Sequence, residues 1–360
     1  MIGGMKDFEF QGLPWNVTFG RGAIHRLPGI LEQNGLRRAL ILSTPGRTRH
    51  AGLLQSVLGE SAVGLFAGAA VHVPTGVVQD ACRAARACAA DCTVSIGGGS
   101  TTGLGKLLRR EVGLPQFAVP TTYAGSEMTP IWGETTGKAK RTGRDPQVLP
   151  VAVIYDPELV VSLPPAIAGP SALNAMAQAI ANISTNPLVG LVAREAIRVL
   201  AEGLPRVMHD HGNVDAHAVM LHGACLAGAA LGLGRSGLHH RLCHLVGGMY
   251  NLPHAETHAV ILPHSVAHTA HAAPEDAALI AAALGAGDAA SQLYRLLIEF
   301  CPRHSLRALG LSEPDVETAI AAADVDPSDA ADMRRVLLNA LAGSPASSDG
   351  RTTSGKKTNL

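Results

Sequence analysis

A strand signal that breaks into three consecutive glycines and reopens as a helix constrains this chain more than any other stretch. It runs from Asp91 to Lys106, DCTVSIGGGSTTGLGK. Thr93 to Ile96 is long enough for one buried strand, and Gly97, Gly98 and Gly99 end it abruptly. Ser100, Thr101 and Thr102 then offer hydroxyls ahead of a segment that reads as helix, Leu104 to Arg109. A turn without side chains lets backbone N–H groups approach a diphosphate, and the helix N-terminus adds partial positive charge. The spacing is not G-x-G-x-x-G, nor is it a P-loop, since no Gly-Lys-Ser/Thr closes it. Three glycines alone mark only a turn, so the neighbouring segments have to decide whether a ligand belongs there.

Around that turn, strand and helix signals alternate. Arg38–Ser43, Val63–Phe66, Phe117–Pro120 and Ala152–Asp156 read as strands, and Ala23–Asn34, Ala51–Leu58 and Gly76–Ala89 as helices. Phe8 to Phe19 reads as a hairpin or an extended arm. Such alternation predicts a parallel sheet with covering helices. After Leu163-Pro164-Pro165 strand signals nearly vanish, and Ala-rich helical periodicity runs to about Ala342. The chain of 360 residues is long enough for two domains. The expected division is an α/β N-terminal nucleotide-binding domain over 1–162, an all-α C-terminal domain over 163–345, and a polar, disordered tail over 346–360.

Several partner classes are disfavoured. With 29 basic and 29 acidic residues and no charged run before the tail, the chain lacks the electrostatic footprint of a nucleic-acid or anionic-lipid binder. No apolar stretch approaches the length of a membrane span, and MIGGMKDFEF lacks a signal-peptide core. The six cysteines (Cys82, Cys88, Cys92, Cys225, Cys243, Cys301) form no C-x-x-C and read as buried reduced thiols of a cytoplasmic protein.

Three further segments carry potential chemistry. Pro120–Thr129, PTTYAGSEMT, follows a strand and is dense in hydroxyls. It is either a polar loop or a second ligand-facing loop at the carboxyl end of the sheet. Lys138–Asp145, KAKRTGRD, gathers four cations that form either a solvated surface or a grip for a carboxylate or phosphate, a task suited to Arg141 and Arg144. GLHHRLCHLVGGMYNLPHAETH holds His239, His240, His244, His254 and His258, with His240 and His244 on one helix face and His254 where a helix restarts after Pro253. In an earlier Ala-rich helix, Asn174 and Gln178 also stand four apart.

GGGSTTGLGK, VPTTYAGSEMTPIWG, KRTGRDPQVLP, VIYDPEL, GLHHRLCH and NLPHAETH together resemble the maleylacetate reductase branch of the iron-containing alcohol dehydrogenases, over about Phe8 to Pro345. The resemblance implies the dehydroquinate synthase-like fold, with the active site in a cleft between two domains. It further implies NADH or NADPH as hydride donor, reduction of 2-maleylacetate to 3-oxoadipate in aromatic compound catabolism, and a homodimer. By the same resemblance Gly98, Gly99 and Ser100 hold the diphosphate. Thr121, Thr122 and Ser126 line the cofactor cleft, Thr44 lies near the adenosine ribose and Lys140 near the cofactor. In metal-dependent members an Asp and a His four apart on one helix, with two further histidines, bind iron or zinc. His240 and His254 match the latter two, and His244 matches a histidine beside the substrate.

The departures from the pattern are specific. The ligand Asp is Asn174, a change maleylacetate reductases share, and its partner His is Gln178, where they ordinarily keep histidine. A basic residue after Val-Leu-Pro is replaced by Val151, and a Glu after the helix motif by Ala181. Two amides and two imidazoles supply no anionic ligand, so no tightly held metal is expected. The first functional expectation is a metal-independent NAD(P)H-dependent reductase of maleylacetate or a similar unsaturated oxo-acid, with His244, His254 and His240 as its catalytic group. The alternative is a paralogue recruited to non-redox acid/base chemistry, as a lyase, cyclase or isomerase. A third is an inactive binding subunit.

Overall fold

The computed structural model describes residues 7–46, 48–137, 139–323 and 325–346, with the side chains at 48, 139 and 140 outside the described set. Residues 347–360, nearly all of the expected tail, lie outside it as well. Ala346, placed in that tail by the sequence, is buried and its carbonyl accepts a bond from Ser291 Oγ.

The described strands are β1 (Val17–Phe19), β2 (Ala39–Leu42), β3 (Ala62–Phe66), β4 (Cys92–Gly97), β5 (Gln116–Pro120), β6 (Ile131–Thr136), β7 (Ala139–Arg144) and β8 (Ala152–Tyr155). Six of them form a parallel sheet in the order β1-β8-β5-β4-β2-β3. Strands covered on both faces have to be apolar throughout, as in Ala39–Leu42, where every residue is buried. Alternate side chains serve opposite faces. Ile41, Val94, Ile96, Phe117 and Ile154 pack with Leu27 and Leu31 of α1 (Leu27–Gln33) and Leu54 of α2 (Thr48–Leu58). Leu40 and Leu42 face α3 (Thr75–Ala87) and α4 (Gly99–Val112).

The opposite side of β5 and β8 is covered differently. Ala118, Val153 and Tyr155 join the core of the helical part. That part comprises α5 (Pro165–Ile180), α6 (Pro187–His209), α7 (Val214–Leu233), α8 (Leu238–Tyr250), α9 (His254–Ala272), α10 (Pro274–Ala283), α11 (Ala289–Phe300), α12 (Glu313–Ala322) and α13 (Pro327–Ala342). The sheet therefore connects directly to the helical part. The architecture is the expected α/β N-terminal domain with an all-helical C-terminal part.

Strand order fixes where a ligand fits. From β2 the chain first moves outward to β3, then returns to lay β4 on the other side of β2. The crevice outside the carboxyl ends of β2 and β4 is thus the topological switch point of an open parallel sheet. Thr44 and the glycine turn border it.

Three expectations are corrected. Of the two readings of Phe8–Phe19 the hairpin falls and the extended arm stands, because β1 pairs in parallel with β8 and the described residues ahead of it form no strand. The basic segment 138–145 supplies β7, which pairs antiparallel with β6; AKRTGR has no apolar alternation to announce a strand. One described helix, α7, is long and apolar enough to cross a bilayer, with mean hydropathy 1.5 over its window. That window is 67% buried inside the molecule, where α7 packs as a core helix against α5 and α6.

Candidate functional site at the glycine turn and the histidine cluster

The glycine turn opens α4 without a side-chain cap at Gly98. The first bond back into the helix is Thr102 N–H to Gly98 O, so the three N–H groups before it point out of the helix end. A Cβ on Gly98 would lie 3.0 Å from the Thr122 side chain, so turn and loop fit closely there. Thr121 N–H donates to Gly97 O at 2.8 Å and joins the turn to the loop after β5. Thr44 sits half-buried just past β2. Gly98, Gly99, Ser100, Thr121, Thr122 and Thr44 therefore share one crevice edge, at the carboxyl ends of β2, β4 and β5.

A residue absent from the sequence expectations holds the second loop in place. Lys106 of α4 is fully buried, and its Nζ donates to Ser126 O (2.7 Å), Ile131 O (2.8 Å) and Thr129 Oγ1 (3.0 Å). Three N–H groups meet three acceptors, and Ser126 Oγ lies farther off at 3.4 Å. Burial lowers the Lys106 ammonium to about 7, while the nearby Glu127 carboxylate pulls it upward. Glu127 is itself buried and accepts from Tyr155 OH at 2.8 Å. Burial pushes its carboxyl up, against backbone N–H groups, Tyr155 and Lys106. A lone lysine between Leu104, Leu107 and Leu108 was the available signal.

The same loop is pressed onto the helical part. Gly125 is left-handed (φ +71°), and a Cβ on Gly228 of α7 would lie 2.2 Å from Gly125 O. One turn later, a Cβ on Gly232 would lie 2.7 Å from Met128 O. Gln178 Nε2 donates to Ala124 O at 2.7 Å. Its buried Oε1 has no hydrogen-bond partner among the described residues and lies 2.7 Å from where a Gly125 Cβ would stand. Asn174, one turn earlier on α5, is buried too.

α8 and α9 bring all five histidines together. Ring centroids of His254 and His258 are 4.5 Å apart, of His240 and His258 5.2 Å, and of His244 and His254 6.3 Å with nearly parallel planes. The cluster is graded in depth: His254 is exposed, His244 half-buried, His240 and His258 buried. Burial lowers His240 to about 4, and burial with neighbouring imidazoles holds His239 and His258 well below the usual histidine range. Across the crevice, His72 on the loop after β3 approaches His254, with ring centroids 6.5 Å apart. His72 and Val73 both adopt left-handed φ (62° and 44°), held by Thr135 of β6 through Oγ1 to His72 O and N–H to Val73 O.

The cations expected to grip an acidic substrate fare differently. Arg144 is committed elsewhere: its guanidinium donates to Gly232 O, Leu231 O and Gly234 O and so caps α7. This corrects its expected role, since those three carbonyls occupy the fork that would meet a carboxylate. Arg141 is exposed on β7, opposite Glu134. The backbone of Lys140 pairs with Thr135, and its side chain lies outside the described residues.

Comparison with known proteins gives consistent matches. The model described as iron-containing alcohol dehydrogenase matches residues 14–157, and that of the Fe-containing alcohol dehydrogenase family C-terminal region matches 169–336. Maleylacetate reductase 2 of Cupriavidus pinatubonensis is 45% identical over 355 residues, covering 95% of this chain and 99% of that one. The crystal structure of maleylacetate reductase from Agrobacterium tumefaciens superposes with TM-score 0.89 at 41% identity, covering 95% and 100% of the two chains. A sulfoacetaldehyde reductase from Bifidobacterium kashiwanohense, solved in complex with NAD+, shares the fold with TM-score 0.83 at 21% identity, covering 93% and 99%.

Proposed function

The chain belongs to the iron-containing alcohol dehydrogenase family and is an oxidoreductase, and from that premise we propose that it reduces the carbon–carbon double bond of 2-maleylacetate, or of a related unsaturated oxo-acid, to give 3-oxoadipate or its counterpart. The observation that carries the substrate assignment is 45% identity over nearly the whole length of a protein named maleylacetate reductase. Relatives of that name give no support to the non-redox alternative.

The donor is NADH or NADPH. The uncapped N-terminus of α4, the close-fitting Gly98 and the switch-point position suit a dinucleotide diphosphate. Gly98, Gly99 and Ser100 would hold it, with Thr121, Thr122 and Ser126 along the cleft, Thr44 toward the ribose and Lys140 nearby. Bound there, the nicotinamide supplies hydride. Thr44 places no acidic side chain against a 2′-phosphate, which leaves both cofactors acceptable.

The iron of the family name does not fit these residues. The corresponding positions are Asn174, Gln178, His240 and His254, two neutral amides and two imidazoles, and the Gln178 amide is tied to Ala124 O. Without a carboxylate or thiolate the set is a poor one for iron or zinc. His244 and His254 take over the polarising role. An imidazolium at either position donates a hydrogen bond to the substrate carbonyl, stabilises the developing enolate and delivers a proton to carbon. His240, buried with its ring centroid 6.3 Å from that of His244, completes the catalytic group. Arg141, Asn174 and Gln178 remain for polar groups of the acidic substrate.

We take residues 1–162 and 163–345 as the two domains and place the protein in the cytoplasm as a homodimer. Edge strand β1 and the arm before it expose Phe8, Phe10, Val17 and Phe19, an apolar edge that pairing with a second copy would cover. The experiment is oxidation of NADH or NADPH by purified, chelator-treated protein supplied with maleylacetate, followed by loss of the reduced-nicotinamide absorbance. Turnover that survives chelation is expected. No turnover with either cofactor across a panel of unsaturated oxo-acids would sink the reading.

A further inference from the structure

Cys243, grouped by the sequence with inert thiols, stands one helical turn from His239 on the same face of α8, and His258 of α9 completes a buried trio. Their donor atoms all lie within 4.8 Å of one another. His239 Nε2 is 3.0 Å from His258 Nδ1 and 3.6 Å from Cys243 Sγ. Zinc–nitrogen and zinc–sulfur bonds of about 2.05 and 2.3 Å give tetrahedral edges of about 3.3 Å for N···N and about 3.6 Å for N···S. The two edges at His239 Nε2 are thus close to those around an ion, and the third, from Cys243 to His258, lies within 4.8 Å.

The surroundings also orient the donors. Ser265 Oγ gives its proton to Leu262 O at 2.8 Å, so toward His239 Nδ1, 3.1 Å away, it acts as acceptor. That bond puts the His239 proton on Nδ1 and turns the Nε2 lone pair toward Cys243 and His258. Outer partners of this kind fix the tautomer of ligating histidines. His258 Nε2 is buried with no hydrogen-bond partner among the described residues, so it is free to take up the ring's proton. Gly237, His239 and Ser265 border a cavity of about 290 Å³ among α5, α8, α9 and α10, which reaches the trio at the His239 ring.

We propose that His239, Cys243 and His258 form a binding site for a thiophilic divalent cation of the zinc class, separate from the family positions Asn174, Gln178, His240 and His254. The trio holds the one anionic donor, a thiolate, that those four positions lack. The cation ties α8 to α9 behind the His244–His254 pair; on binding, the proton that His258 Nδ1 shares with His239 Nε2 moves to His258 Nε2, and the thiol proton passes to solvent. The proposal rests on the trio and its orienting serine, independently of the reductase reading.

The test is titration of reduced, chelator-treated full-length protein with Co2+, read by the near-ultraviolet thiolate-to-cobalt charge-transfer band. One equivalent per chain should bring up the band, Zn2+ should displace it, and Cys243→Ser should abolish it. Ser265→Ala should weaken Co2+ binding by about 10–100-fold. Absence of the band in the unmutated protein, a band that survives Cys243→Ser, or cobalt bound without thiolate character would each overturn the site. The unmutated spectrum alone decides even where a variant fails to fold. Reductase activity is measured separately on the metal-free protein, so its loss would count against the reductase reading and leave the cation site standing.

Discussion

Replacing Lys106 by Met should change how stability depends on pH, and the size of the change follows from the burial of that side chain. Its ammonium is lowered from the ordinary 10.5 to about 7, with desolvation the leading cause. That gap of about 3.5 units corresponds to about 5 kcal/mol disfavouring the charged form in the folded state. Between pH 7 and 10.5 the unfolded chain keeps the proton and the folded chain releases it, so stability rises with pH across that window. Integrated from pH 7 to 9, the gain is about 2 kcal/mol. Lys106→Met has no such proton and should lack the gain. Glu127, deprived of its cation, would be pushed up further, and a carboxyl raised in the folded state loses stability as pH rises, which widens the difference in the same direction. Ser126 O, Thr129 Oγ1 and Ile131 O would each lose a donor, at about 1–3 kcal/mol apiece, offset by the desolvation no longer incurred. The assay is urea unfolding of both proteins at pH 7 and pH 9, followed by circular dichroism. A difference between them that stays constant across the two pH values would refute the assignment of a lowered, buried ammonium to this loop.

Three further outcomes are expected. Gly228→Ala puts a methyl group into Gly125 O, which is backbone and cannot rotate away; a loss of about 1–3 kcal/mol or more and weaker NADH binding should follow, and an unchanged melting temperature would refute the contact. His254→Ala should lower kcat with maleylacetate by about 10²–10⁴-fold while NADH fluorescence titrations stay within about twofold, and wild-type turnover by the variant would remove His254 from the chemistry. Arg144→Met should lower stability by about 1–3 kcal/mol through the uncapped α7 and leave KM unchanged, whereas a raised KM at unchanged stability would return Arg144 to the substrate.

How far the sequence could be read depended on whether a residue's role was local. Strands β2, β4, β5 and β8 announce themselves because parallel strands covered on both faces are continuous apolar or β-branched runs. The histidine cluster was legible for a similar reason, since α8 and α9 are consecutive and spacing on one helix fixes which rings share a face. Hairpin β6–β7 was not, because its strands are half-buried or exposed and mix charge with glycine. Helix α4 begins at Gly99, five residues ahead of the sequence expectation, because the crevice uses glycines as the first turn and they carry no helical signal. The partners of Arg144 lie 87 to 90 residues away at the end of α7, and those of Lys106 lie 20 to 25 residues on. No pattern within a window of either residue encodes such contacts.

Because Gly228 and Gly232 receive the carbonyls of Gly125 and Met128 at distances that admit no side chain, the loop after β5 and helix α7 are seamed backbone to backbone. Two surfaces joined this tightly slide or separate only by breaking many contacts at once, so they travel as a single body. On the other side of the crevice the approach is between side chains alone, where His72, beside left-handed Val73, brings its ring to 6.5 Å from that of His254. Substitutions at that edge should therefore be borne with less disturbance of the backbone than those along the seam.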